Sequence, residues 1–215
     1  MAKRLIFLAL AVIAVLAIMP CSAMADSTQV TLTGVSGGTQ GGVYTSPYFA
    51  TVGTINGTAI VCDDYDHEVH MGESWTAYVY NFSNLSGARF YTGNEASTLT
   101  LYDEAAWLIT ELAANPSDSG DISFAIWALF TPSVEGTSGF TPGALWWLNQ
   151  AEGQTFYAGE YSNFLVLTPT DPGTGSPQEY IVMTPEPSSF LLLSAGFLAL
   201  AFGSRRIKST IQLCS

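Results

Sequence analysis

Positive charge is nearly absent from the middle of this chain. Six Lys and Arg stand against 18 Asp and Glu in 215 residues, a formal net charge of −12. Five of the six bases are terminal: Lys3 and Arg4 at the start, Arg205, Arg206 and Lys208 at the end. The sixth is Arg89, so residues 26–187 hold one base and all 18 acids, or 1 − 18 = −17. A body this acidic excludes a nucleic-acid partner, because phosphate contacts need a basic surface. Cysteine is scarce as well. Three residues, Cys21, Cys62 and Cys214, cannot build a disulfide scaffold. Charged types make up only 11% while aromatics reach 13%, which excludes a disordered acidic tail. No internal repeat is evident. Also missing are a Gly-x-Ser-x-Gly elbow, a P-loop and a dinucleotide fingerprint. The expectation is a protein that is not an enzyme and carries no cofactor.

What the chain does have is two apolar runs, each beside bases. Lys3 and Arg4 precede Leu5–Met19, a run of 15 residues, and Ala23-Met24-Ala25 follows with small residues at Ala23 and Ala25. This reads as a secretory signal peptide over 1–25, cleaved before Asp26 by signal peptidase after passage through the Sec translocon. Fifteen residues are few for an uncleaved span. Pro20 directly before Cys21 argues against a lipid attachment there. The second run, Phe190–Phe202, has 13 residues. As a helix it covers about 20 Å, and flanking Ser, Gly and Arg extend it by snorkelling. It is apolar on every side and abuts Gly203-Ser204-Arg205-Arg206, as a stop-transfer segment does and a buried core helix does not. Basic ends around an acidic middle fit a translocated body with both ends on the cytoplasmic side.

Pro185-Glu186-Pro187, then Ser188-Ser189, the apolar run and Arg205-Arg206 occur in fixed order at the end of the chain. Together these roughly 25 residues resemble the PEP-CTERM sorting signal of exported bacterial proteins. The resemblance implies recognition by exosortase, a membrane protease and transpeptidase-like enzyme, with processing near Pro185–Pro187. It also implies a Gram-negative host that makes exopolysaccharide, and a mature protein at the cell surface or in the extracellular matrix. The tail departs from the pattern by continuing from Ile207 to Ser215. The prolines remove backbone donors and disfavour helix, so a protease meets extended chain there. The organisation expected is a signal peptide over 1–25 and an exported α+β domain over 26–184. A sorting signal with a single membrane helix follows over 185–208, then a cytoplasmic tail over 209–215.

Within the body, Gly, Thr, Tyr and Val predict strands first. Thr28–Val35, Val43–Val52, Thr54–Cys62 and Val69–Phe82 are the candidates, with a turn at Gly53 or at Asn56-Gly57. Helices follow. Leu101, Ala105, Leu108, Ile109 and Leu112 form one stripe that Asn115-Pro116 ends. Asp121 is positioned to cap a second helix, which Pro132 stops. Thr141-Pro142 opens a third that runs to Gly153. Phe164–Thr168 and Glu179–Met183 then form a long-looped hairpin. The fold class expected is α+β: a mainly β N-terminal half, two to three central helices and a C-terminal hairpin, followed by the membrane helix.

Val61-Cys62-Asp63-Asp64, Gly72, Trp75, Ala106-Trp107-Leu108 and Ala125–Phe130 resemble a domain common among exported PEP-CTERM proteins. Ala125-Ile126-Trp127 also resembles the Thr-Gln-x-Ala-Ile/Val-Trp motif of thioester-type adhesin domains, in which a Cys near a strand is acylated by the Gln. Here Ser123 occupies the Gln position and has no carboxamide carbon, so the resemblance implies shared architecture without the bond. Cys62 is then either a buried small hydrophobe or a reactive thiol. Asp63–His70 contains both His; read as a strand, it sets Asp64, Asp66, Glu68 and His70 on one side. Asp64, Asp66, His67 and His70 make a candidate metal site, against the alternative of an exposed acidic turn. Trp107 and Trp127 fit a core. Trp146 and Trp147 diverge by about 100° on a helix, so one of them can present its ring to a sugar. The leading expectation is an exported envelope or matrix protein, sorted by exosortase, with a structural or adhesive role beside exopolysaccharide. The alternatives are a carbohydrate-binding module using Trp146 or Trp147, and a secreted hydrolase using acidic pairs such as Asp103 and Glu104.

Overall fold

The computed structural model describes residues 27–184 apart from 172 and 174. The signal-peptide residues Ala23, Ala25 and Asp26 lie outside the described residues. So do Pro185, Glu186, Pro187, the run Phe190–Phe202 and Arg205 and Arg206. Among the described residues no helix is long and apolar enough to cross a membrane.

The chain order is β1 (Ser27–Val35), β2 (Thr39–Gln40), β3 (Val43–Tyr44), β4 (Tyr48–Val52), β5 (Ile55–Cys62) and β6 (Ser74–Asn81). Then come α1 (Glu95–Ala114), α2 (Ser119–Phe130), α3 (Pro142–Glu152), β7 (Phe164–Pro169) and β8 (Tyr180–Met183). The class is α+β with a mainly β N-terminal half and three helices. Six strands close into an antiparallel barrel in the order β1-β4-β5-β8-β7-β6, with β6 returning to β1. The C-terminal hairpin is therefore a wall of the barrel. The helices form one insertion between β6 and β7, two strands that pair directly.

Burial follows from this placement. Ile60, Cys62, Leu165, Leu167, Tyr180 and Val182 point into the barrel. Val61, Phe164, Val166 and Ile181 point outward and pack under the helices with Leu108, Ile122 and Ile126. Strand β7 is thus buried at all six positions and reads as an unbroken apolar run. Strand β1 keeps water on its outer face: exposed Gln29, half-buried Thr31 and exposed Thr33 alternate with the buried Val30 and Leu32. Phe124 and Trp127 on α2 join the interior cluster and close one mouth of the barrel.

Several local expectations shift. Val43–Val52 is two strands, because Pro47 offers no backbone N–H and interrupts the ladder at Thr45–Pro47. The following turn falls at Gly53, whose φ of 59° places it in the left-handed region. Val69–Phe82 becomes strand only from Ser74, since residues 63–73 leave the barrel as a loop. Helix α1 starts earlier than its stripe, at an N-cap Asn94 whose side chain accepts from Ser97 N at 3.0 Å. Asp121 is not the cap of α2; it sits in the first turn, and its Oδ1 accepts from Gln40 Nε2 at 2.9 Å and Thr141 Oγ1 at 2.6 Å.

That last contact locks the β2–β3 hairpin to α3. Thr141 itself caps α3, accepting from Gly143 N at 3.0 Å and Ala144 N at 3.3 Å. Gln40 also donates to Gly139 O at 2.9 Å, and a Cβ on Gly41 would lie 2.6 Å from Gly139 Cα. Thr141→Ala is expected to lower unfolding free energy by about 1–2 kcal/mol in urea titrations. Thr110→Ala, at an exposed helix position, is expected to change it by less than about 0.5 kcal/mol.

Candidate functional site

The barrel strands end in a concentration of buried charge. Cys62 pairs with Tyr180, so Asp63 and Asp64 just after β5 lie beside Glu179 just before β8. All three carboxyl groups are buried, at 0%, 1% and 0% exposure. The loop between β6 and α1 brings in Arg89. Its guanidinium pairs with Asp64 Oδ2, donates to Pro177 O at 2.9 Å and donates to Ser176 Oγ at 2.7 Å. Its backbone N–H donates to Glu179 Oε2 at 2.8 Å. Asp64 also accepts from Glu179 N at 3.3 Å, Asp66 N at 3.2 Å and His67 Nδ1 at 2.9 Å.

Donor supply separates the roles of the acids. Glu179 accepts from Tyr102 OH at 2.5 Å, from Thr168 OH and from Arg89 N. Neither oxygen of Asp63 meets a donor. Burial pushes the Asp63 carboxyl well above the ordinary range, and the charges of Glu179 and Asp64 push it further. Burial raises Glu179 too, but hydrogen bonds from Thr168 and Tyr102 oppose the shift. Of the pair, Asp63, which meets no donor, is the one pushed further toward its protonated form. Two like charges in one dry pocket cannot both stay ionised.

Directly above this cluster lies an open cleft of about 360 Å³. The β2–β3 hairpin supplies Val43 and Tyr44, the loop after β5 supplies Tyr65 and His67–Met71, and Trp127 closes the floor. Tyr65 packs on Trp127 with ring centroids 5.4 Å apart. Because an ionised Asp64 only accepts, His67 turns a protonated Nδ1 toward it. Gln178 also lines the cleft, with its amide spent on Asp64 O at 2.9 Å and on Tyr180 OH at 3.0 Å.

The strand reading of Asp63–His70 is overturned: it is a loop with Asp63 and Asp64 turned inward and Asp66, Glu68 and His70 exposed. Of the candidate metal ligands, Asp64 and His67 meet each other, and Asp64 is already engaged by Arg89. Among the described residues, no group of three or more His, Cys, Asp or Glu is arranged to hold a metal ion. Arg89 pairs with Asp64, while Asp66 and His70 stay exposed, so the four residues are not gathered at one point.

Cys62 ends β5 fully buried, and its Sγ–H donates to Asp64 O at 3.2 Å. Burial, then the charges of Asp63 and Asp64, push its thiol well above the ordinary value, so it is held as a thiol rather than a reactive thiolate. Cys62 N donates to Ser46 Oγ at 3.2 Å, and Ser46 N donates to Ser123 Oγ at 2.9 Å. Cys62 and the residue in the Gln position thus stand one side chain apart. Trp147 is 6% exposed and Trp146 54%, with rings 4.7 Å apart, so the outward ring is Trp146. Asp103 is pushed up to about 6 and Glu104 to about 7, both first by burial, then by Glu160 and by Glu152 and Asp103 respectively. As helix neighbours they diverge and do not converge on one bond.

Sequence reasoning counted Arg89 but gave it no role, and it passed over Glu179, Tyr102 and Tyr44. The one signal was Arg89 itself: a single Arg in so acidic a body has an acid to answer. No protein-family model, no curated protein and no solved structure matches the chain.

Removing Arg89 leaves Asp64 buried without its cation. Arg89→Leu is expected to cost about 3–5 kcal/mol in chemical denaturation, and Arg89→Lys to recover only part, because a point charge cannot serve Asp64, Ser176 and Pro177 together. Asp63 binds its proton more tightly when folded than when unfolded. Its contribution to stability is complete below the unfolded carboxyl range and is lost as pH rises toward the raised folded value, at up to about 1.4 kcal/mol per pH unit. Asp63→Asn keeps a donor toward Glu179. Unfolding of this variant followed from pH 4 to pH 8 is expected to lose that falling slope.

Proposed function

We propose that the chain is an exported surface or matrix protein, sorted by exosortase through its C-terminal signal, with an adhesive rather than catalytic role beside exopolysaccharide. The observation that supports this most is where the domain's ends lie relative to its cleft. Ser27 begins β1 beside the end of β6, and Thr184 follows β8 beside the start of β7, its N–H donating to Asn163 O at 2.8 Å. Both belong to one end of the barrel. Val35, Tyr48, Cys62 and Tyr180 mark the other, and the cleft opens there. A domain tethered through the segment after Thr184 would therefore hold its cleft away from the tether. That is the geometry of display.

The secreted-hydrolase reading has less support. Asp63 and Glu179 are sealed from solvent, and neither can reach a polysaccharide without opening the domain. The carbohydrate-binding reading gains from two observations: Trp146 is half exposed, and the cleft is lined by aromatic rings.

Fractionation tests the proposal. In cells with active exosortase the mature chain is expected at the surface or in the matrix, shortened near Pro185–Pro187. Replacing Pro185, Glu186 and Pro187 with Ala is expected to leave a longer, membrane-held species. A wild-type chain retained in the cytosol or periplasm contradicts sorting.

A further inference from the structure

We propose that the cleft at the barrel mouth is a receptor for ammonium groups displayed on a glycan, that is, for amino-sugar units with free amines. This rests on the adhesive reading and names the ligand class of the same site. The first support is the hydrogen-bond polarity of the lining. Glu68 is an exposed carboxylate and only accepts. His67 turns Nδ1 to Asp64, and Gln178 is held by Asp64 O and Tyr180 OH. The Glu68 carboxylate asks for a donor, and an ammonium brings three.

The second support is aromatic. Tyr44 is 62% exposed, and Tyr65 stands against Trp127 on the floor. Ring faces attract cations, and they also stack on the apolar faces of sugars. The third is charge. No Lys or Arg lines the cleft, and the single Arg of the described residues is turned beneath it toward Asp64. Asp26 and Glu186 lie outside the described residues, so these hold 18 − 2 = 16 acids against Arg89, or 1 − 16 = −15. Such a field draws cations to the cleft and repels uronate or sulfate chains. The exposed His70 also lines the cleft, and its backbone N–H donates to Glu73 Oε2 at 2.8 Å.

Calorimetric titration of the full-length chain at physiological salt tests this with three probes of equal length. They are a glucosamine oligomer, its fully N-acetylated counterpart and an oligogalacturonate. The free-amine oligomer is expected to bind about tenfold more tightly than the acetylated one, with no binding of the uronate. Glu68→Gln and Tyr44→Ala are each expected to weaken amine binding about three- to tenfold, while Tyr157→Ala, at an exposed ring outside the cleft, leaves it unchanged. Both replaced side chains are exposed, so folding is not at stake. Equal affinity for the free and acetylated oligomers overturns the ammonium inference and leaves the adhesive reading standing. Amine binding that survives both cleft substitutions also overturns it, as diffuse attraction to an acidic surface. Absence of binding to all three overturns it as well, and display at the cell surface, read by fractionation, is decided separately.

Discussion

Arg89 is the only Lys or Arg among the described residues, and three buried carboxyl groups gather where its loop meets the barrel. One cation cannot neutralise three acids. The protein resolves the excess by pairing Asp64 with Arg89, surrounding Glu179 with donors and pushing Asp63, which has none, toward its protonated form. Each part depends on the others. If Arg89 left, Asp64 would be a buried charge without its cation. The network also joins pieces distant in sequence: the end of β5, the start of β8, β7, α1 and the loop before α1. It welds the helical insertion to the barrel at the point where hydrophobic contact alone would permit sliding.

The same network shapes the cleft from below. Asp64 is shared between Arg89 on its inner side and His67 on its outer side. The buried pair therefore fixes which His67 nitrogen turns toward Asp64. Gln178 is held in the same way by Asp64 and Tyr180. The β2–β3 hairpin completes the wall through Gln40, Asp121 and Thr141, which couples the exposed Tyr44 to the helices.

Much of the body was legible in the amino-acid order. Local chemistry sufficed for α3, where Thr141-Pro142 caps and starts a helix, and for the Trp146–Trp147 split, where the helical rotation must turn one ring out. It sufficed for β7 and β8 as strands, because alternating outward residues that are also apolar announce burial on both faces. It failed at Asp63–His70. Two of the acids are core residues, and Asp64 meets partners more than 20 positions away. Periodicity cannot see a partner at that distance. Nor could it see that Asp64, Asp66, His67 and His70 are not gathered into one group.

Sequence alone determined the acidity of the body, the position of its single Arg, the Thr141 cap of α3 and the class of the fold, because composition and local backbone preference act over a few residues. Only the tertiary structure decided that the strands close into a barrel, that Asp63 is buried without a donor beside Glu179, and that His67 is held by Asp64 at a cleft remote from both ends of the domain. Those are consequences of which groups exclude water from one another, and burial is a property of the assembled chain.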